Sequence, residues 1–150
     1  MTNEEIKAYL SGLHPTATFD ETGEWLNIGI EATEWKKVAK LLYNAPFDFN
    51  YLFCLTCVDW KTHLGMVYHL TSTRHRHTIV IKAKVDRENP VIETVSDIWR
   101  TADFHEREVA ELFGVQFTGH PDLRRLILTD DFEGFPLRKD FEDPINMIKL

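Results

Sequence analysis

Apolar residues recur along the chain with two periods, and their alternation sets out the elements. Ile6, Tyr9, Leu10 and Leu13 repeat at i, i+3, i+4 and i+7 behind a Thr2-x-x-Glu5 capping box, so a first amphipathic helix is expected, stopped near Gly12 and Pro15. Residues 17–19 and 25–30 read as two strands joined around Thr22-Gly23. Thr33 is placed to cap a second helix, in which Trp35, Val38, Ala39 and Leu42 share a face and which ends before Pro46.

Residues 50–60 alternate with Tyr51, Phe53, Leu55 and Cys57 on one side and Leu52, Cys54, Thr56 and Val58 on the other. Both sides are largely apolar, which predicts a central strand. Residues 64–73 and 76–85 form the next two strands, turning near Arg74-His75. In the second, His77, Ile79, Ile81, Ala83 and Val85 face the core, whereas Thr78, Val80, Lys82 and Lys84 present a face that is wet or covered by a partner. After the break at Asn89-Pro90, residues 91–99 lead across to a third helix at 103–113. Asp103 is its expected N-cap, Glu106 completes a capping box, and Gly114 ends it in a left-handed conformation.

Within that helix His105, Val109, Leu112 and Phe113 form one stripe, and Arg107 and Glu111 share the opposite face. Glu108 falls at the edge of the apolar stripe, where a carboxylate requires a cation. The Glu106/Glu108 carboxylates are therefore expected to meet Arg124 and Arg125, binding the segment after the helix to it or to a neighbouring chain. From Thr118 onward periodicity gives way to Gly, Pro, Arg and Asp, too poor in apolar residues to fold alone.

Runs of consecutive strands predict an α+β fold, a two-layer sandwich with a mixed sheet of about five strands and helices on one face. The division is a core over residues 1–117 and an extended partner-docking tail over 118–150. Removal of that tail should leave a folded core that no longer assembles. In it Arg124, Arg125, Arg138 and Lys139, spaced by Pro121, Pro136 and aromatic residues, suit bidentate contacts with carboxylates of a partner. Phe117, Phe132, Phe135 and Phe141 suit its pockets.

Composition narrows the function. With 150 residues, 43% hydrophobic and 27% charged, the chain is one ordinary domain. A net charge of −7 argues against nucleic-acid binding, yet residues 61–87 sum to +5, a basic face on an acidic protein. No run reaches the ~20 apolar residues needed to span a bilayer, and the acidic N-terminus is unlike a signal peptide. Cys54 and Cys57 spell CxxC, but three residues apart on a strand they point to opposite faces and could not share a metal. His63, His69, His75 and His77 crowd one region; with a two-residue turn at 74–75, His69 pairs with Val80 and lies on the face opposite His77, so no metal triad converges. Acid/base pairs can be drawn from His105 with Glu108, or His120 with Asp122 and Asp130, but no nucleophile elbow or phosphate loop accompanies them.

The long motif is specific. Glu106-Arg107-Glu108, Leu112-Phe113-Gly114-Val115, the run from Phe117 through His120-Pro121-Asp122-Leu123-Arg124-Arg125, and Glu133-Gly134-x-Pro136-Leu137-Arg138-Lys139-Asp140-Phe141 resemble the 30-kDa subunit of NADH:quinone oxidoreductase, respiratory complex I. The resemblance extends upstream to Tyr51 through Val58-Asp59, the 68–77 hairpin and Asp97-Ile98-Trp99. The chain departs from that pattern with Glu111 for Asp, Phe135 for His, Glu142 for Pro and Cys54 for Asp. The resemblance implies a cofactor-free structural subunit of the peripheral arm, with FMN, iron-sulfur clusters and the quinone cavity in its neighbours. Its partners would be other peripheral-arm subunits, chiefly the large quinone-site subunit, and it would meet the cytoplasmic side of the plasma membrane only through the complex. The interface residues so implied are Glu106, Arg107, Glu108, His120, Pro121, Arg124, Arg125, Pro136, Arg138, Lys139 and Asp140. Rival readings are the equivalent subunit of a membrane-bound [NiFe] hydrogenase or formate hydrogenlyase, a metallohydrolase built on the histidines, and an adaptor unrelated to respiration.

Overall fold

The computed structural model describes residues 1–145; residues 146–150, the end of the expected tail, lie outside the described residues. Helix α1 (Asn3–Leu13) opens with the expected capping box, the Thr2 hydroxyl accepting from the Glu5 N–H and the Glu5 carboxylate from the Thr2 N–H. Its Ile6 and Leu10 are buried, while Tyr9 and Leu13 stay half out. Strands β1 (Thr18–Asp20) and β2 (Leu26–Gly29) form an antiparallel hairpin. Helix α2 (Trp35–Tyr43) buries Trp35, Val38, Ala39 and Leu42, but Glu34 precedes it without a side-chain cap. Thr33 is therefore not a cap; the turn at Glu31 to Glu34 supplies the start through backbone bonds instead.

Strands β3 (Tyr51–Asp59), β4 (Leu64–Ser72) and β5 (His77–Val85) complete a mixed five-stranded sheet in the order β1-β2-β5-β4-β3, with β2 and β5 parallel and the other pairs antiparallel. The expected register holds: His69 pairs with Val80, and Ile79, Ile81, Ala83 and Val85 line the core. Strand β3, expected to be central, is an edge strand. A bulge between Leu52 and Cys54 shifts its phase, so Leu52, Leu55, Cys57 and Asp59 are the buried positions. Helix and loop residues take the place of a further strand beside it: the Thr101 hydroxyl donates to Leu52 O (2.6 Å) and the Trp99 indole N–H to Phe49 O (2.9 Å).

Two short strands not evident from periodicity, β6 (Val91–Glu93) and β7 (Gln116–Thr118), pair in parallel on either side of helix α3 (Ala102–Phe113). All three helices pack on one face. There Ile6, Leu10, Trp35, Val38, Val109 and Phe113 meet Leu26, Ile28, Leu55, Met66, Tyr68 and Ile81, each apolar side chain contributing about 1.5–3 kcal/mol on burial. Among the described residues no helix lies over the opposite face of the sheet. The boundary expected at residue 117 falls inside β7, and the side chain of His120 is fully buried, so the first residues of the tail belong to the core.

Candidate partner-docking surface

Helix α3 fixes the geometry of everything that follows it. It starts at Ala102, with Thr101 before it making no side-chain cap, so Asp103 sits in the first turn instead of capping it. That phase puts Ala102, Glu106, Val109 and Phe113 on the buried stripe. Glu106 consequently does not close a capping box. Its carboxylate accepts from Val95 N–H (2.8 Å) and the Thr94 hydroxyl (2.5 Å). Burial pushes the Glu106 carboxyl up to about 7, against those two hydrogen bonds and the nearby His120. Tyr68, buried beside it, is pushed upward by burial and then by the Glu106 charge.

His120 anchors the root of the tail. Its Nδ1 accepts from Asp122 N–H (3.0 Å), so Nε2 carries the hydrogen, 3.2 Å from Asp103 O and 3.0 Å from Asp103 Oδ1. Glu106 Oε2 stands 3.9 Å away. Glu106 and His120 are thus internal groups beneath the root of the tail, and neither side chain reaches the surface.

The tail then runs along the exposed face of α3, held by side chains of the helix. Arg107 donates from Nε to Arg124 O (2.8 Å) and from Nη2 to Arg125 O (3.2 Å). Glu111 accepts three successive backbone N–H groups, of Leu126 (3.0 Å), Ile127 (2.8 Å) and Leu128 (3.2 Å). This overturns the expected pairing within the chain: Glu108 is exposed, Arg124 pairs with Asp122 (2.7 Å), and Arg125 donates to Thr129 O (2.5 Å). The carboxylate that needs partners is Glu111, and backbone N–H groups, instead of arginines, supply them. It shared a face with Arg107 in the sequence; what periodicity could not supply was that the tail lies on that face.

The chain then comes back over the end of the helix. Gly114 is left-handed (φ 82°), and a Cβ there would stand 2.7 Å from the ring of Phe135. Leu137 N–H donates to Leu112 O (3.1 Å), and Arg138 Nε to Phe113 O (2.6 Å), the guanidinium lying over Phe135. A cation on the last carbonyls of a helix meets the negative end of its dipole. Farther on, the Lys139 N–H donates to Asp59 Oδ2 (2.8 Å), while Arg87 bridges Asp59 and Asp140 (3.2 Å to the latter). Burial works to raise the Asp59 carboxyl, but the Lys139 and Lys61 N–H groups and Arg87 overcome it and hold it at about 2. Asp59 entered the sequence reading only as part of Val58-Asp59 in the family resemblance and Arg87 only within the basic 61–87 run; neither was expected to hold the tail.

With both ends fastened, residues 124–137 turn apolar side chains outward. Leu126 is 43%, Ile127 62% and Leu137 53% exposed, and Phe104 on α3 stands beside Arg107 at 59%. Pro121, Arg124, Lys139 and Asp140 are exposed with them, and Pro136 is half-buried.

Other candidate chemistry disperses. Cys57 is buried on the core face, its thiol pushed up to about 12 by burial and then by Asp59, while Cys54 lies on the other face. His77 contacts Asn3 (2.8 Å), His75 sits in the 73–76 loop against Pro46 O (2.8 Å), and His69 packs with Trp25 and Phe53 on the open face. Among the described residues no group of three or more His, Cys, Asp or Glu is placed to hold a metal, and no helix is long and apolar enough to cross a membrane.

Residues 28–145 match the family described as the 30-kDa subunit of respiratory-chain NADH dehydrogenase. The chain is 44% identical over 117 residues to the C/D subunit of NADH-quinone oxidoreductase of Phocaeicola vulgatus, covering 77% of this chain but only 22% of that longer polypeptide. It is 39% identical over 117 residues to the C subunit of the Chlorobium phaeobacteroides NADH-quinone oxidoreductase, covering 75% and 70%. Among solved structures it resembles a chain of the membrane-bound sulfane sulfur reductase, an archaeal respiratory membrane complex (TM-score 0.79, 28% identity, 93% and 85% covered). It also resembles a trypsin-resistant fragment of Nqo5 (TM-score 0.71, 26% identity, 82% and 100% covered). The chain belongs to the family of the 30-kDa subunit of respiratory-chain NADH dehydrogenase.

Proposed function

We propose that the chain is a cofactor-free structural subunit in the peripheral arm of a proton-translocating NADH:quinone oxidoreductase. It supports electron transfer from NADH, through FMN and iron-sulfur clusters held by other subunits, to quinone. The observation that carries this reading is a tail fastened to its own helix by Arg107, Glu111, Arg138 and Asp59 with Leu126, Ile127 and Leu137 turned outward. Fastening the backbone first reduces the ordering entropy that docking would cost, and exposed aliphatic residues ringed by arginines suit a permanent partner. The relatives named as C/D subunits hold a unit like this one in a much longer polypeptide, consistent with a constant neighbour. We assign that neighbour as the large quinone-site subunit, and place the chain peripherally on the cytoplasmic side of the membrane.

The contribution to catalysis is positional. Electron transfer between cofactors in separate subunits depends on their spacing, which a rigid structural subunit helps to hold. The likeness to a chain of a sulfane sulfur reductase leaves the electron donor open at the level of fold, whereas the sequence relatives are named for NADH. The test is a mild-detergent pull-down of the tagged chain from native membranes with an NADH-to-quinone assay on the eluate. Iron-sulfur and quinone-site subunits with NADH oxidation are expected; the chain alone, or hydrogenase subunits, would overturn the reading.

A further inference from the structure

The sheet face without helices carries a recess of about 800 Å³ that touches all five strands. Its floor follows from the register. Lys82 has Gly29 on one side and Val67 on the other, and Lys84 has Gly65 beside it, itself paired with Val58. Neither glycine marks a bend. At Gly29 a Cβ would meet the Thr18 hydroxyl at 2.2 Å, and at Gly65 the Trp60 indole nitrogen at 2.9 Å. The absent side chains let Thr18 and Trp60 lie down on the sheet as the two sides of the recess, with the lysines between them. Trp60 is nevertheless 58% exposed, an indole with one surface on protein and the other uncovered.

The electrostatics point to the occupant. In this acidic chain Lys7, Lys36, Arg87 and Arg124 each find a carboxylate at contact distance, whereas Lys84 makes no ion pair or side-chain hydrogen bond among the described residues and Lys82 acts only through space, its charge helping to hold the Asp20 carboxyl and the His69 imidazole below their ordinary ranges. The acidic members of the recess sit at its β1 side: Asp20, which accepts from Thr22, and Glu31. Two lysines at i and i+2 of one strand stand about 7 Å apart, the side-chain repeat of an extended chain. The recess spans five strands, roughly 19 Å at ~4.8 Å per spacing, more than a single small anion would fill.

We propose that this face is a second docking surface, separate from the tail, and that it takes an extended segment of a neighbouring subunit with carboxylates at alternate positions on Lys82 and Lys84 and an apolar side chain on Trp60. The proposal rests on the subunit reading above. Lysine amines and the indole N–H would be donors to that segment, and Val58 and Val67 its apolar bed.

Zero-length carbodiimide coupling of the intact detergent-solubilised complex, followed by peptide mass spectrometry, tests it. Expected are amide crosslinks from Lys82 or Lys84 to Asp or Glu of another subunit, with acetylation of both amines at least about tenfold slower in the complex than in the isolated chain. K82E/K84E should abolish those crosslinks and lower co-purification of that subunit about tenfold, while K82R/K84R restores co-purification. Both side chains are exposed, so neither variant should shift the melting temperature of the isolated chain. A complex recovered with its full set of subunits in which both lysines acetylate as fast as in the free chain overturns this proposal and leaves the subunit reading standing. Coupling only to Asp20 or Glu31, or protection that vanishes when anionic lipid is removed, also overturns it.

Discussion

Replacing Glu111 by Ala removes a side chain that accepts three consecutive N–H groups of the tail, at 2.8 to 3.2 Å. A hydrogen bond to a charged acceptor is worth about 1.5–3 kcal/mol, but after the change water can reach these amides, because Leu126 and Ile127 are already largely exposed. The three bonds share two oxygens, so the net loss should be about 2–4 kcal/mol rather than their sum. It falls on local opening of residues 124–134 and not on the core. Opening becomes roughly 30- to 1,000-fold more frequent, and deuterium uptake at Leu126, Ile127 and Leu128 should accelerate accordingly while amides of β4 and β5 are unchanged. Glu111→Gln, which keeps one accepting oxygen, should fall between. Unchanged protection at Leu126 to Leu128 in Glu111→Ala would refute the claim that this carboxylate fastens the tail.

Glu106 holds its proton to about pH 7 in the fold against an ordinary 4.5, so the native state loses favour as pH rises from 4.5 through 7, by about 3 kcal/mol. Urea melts should show that slope in the natural chain and lose it in Glu106→Gln. Asp59 acts in the opposite sense: held at about 2 against 3.8, it adds stability above 3.8 that is lost as pH falls through 2. Asp59→Asn leaves Arg87 with Asp140 in place of its main partner and weakens the hold on Lys139 N–H, read as a lower urea midpoint and faster tryptic cleavage at Arg138 and Lys139. Gly114→Ala forces an L side chain to φ 82° and its Cβ to 2.7 Å from Phe135. The cost, about 1–2 kcal/mol, should lower the melting temperature by roughly 5 °C, with part of it recovered in Gly114→Ala/Phe135→Ala.

Much of the fold was legible because it is written in short-range terms. The α1 capping box, the buried face of α2, the β4/β5 register and the left-handed Gly114 each depend on residues within one element or turn. What was not legible depends on contacts distant in sequence. The edge position of β3 follows from Trp99 and Thr101 lying beside it, and its bulge shifts a phase that simple alternation assumes. Of the residues expected at a partner interface, several have roles within the chain that periodicity did not show. Arg107 and Arg138 do bind the tail, yet to carbonyl oxygens of the same chain, and Glu106 and His120 face inward because α3 begins at Ala102. The expected cut after residue 117 would remove the end of β7 and a buried imidazole, so a truncation after Leu123 is the better test of whether the core folds alone.

If the outward face of the fastened tail is where the chain meets its partner, two exposed aliphatic side chains should decide assembly. Leu126→Glu/Ile127→Glu alters both without touching the Glu111 bonds, which involve only their backbone. The isolated variant is expected to keep its melting temperature and yet no longer bring the quinone-site subunit down from detergent-solubilised membranes. Full co-purification of that subunit with NADH-to-quinone activity intact would contradict the docking role of this face.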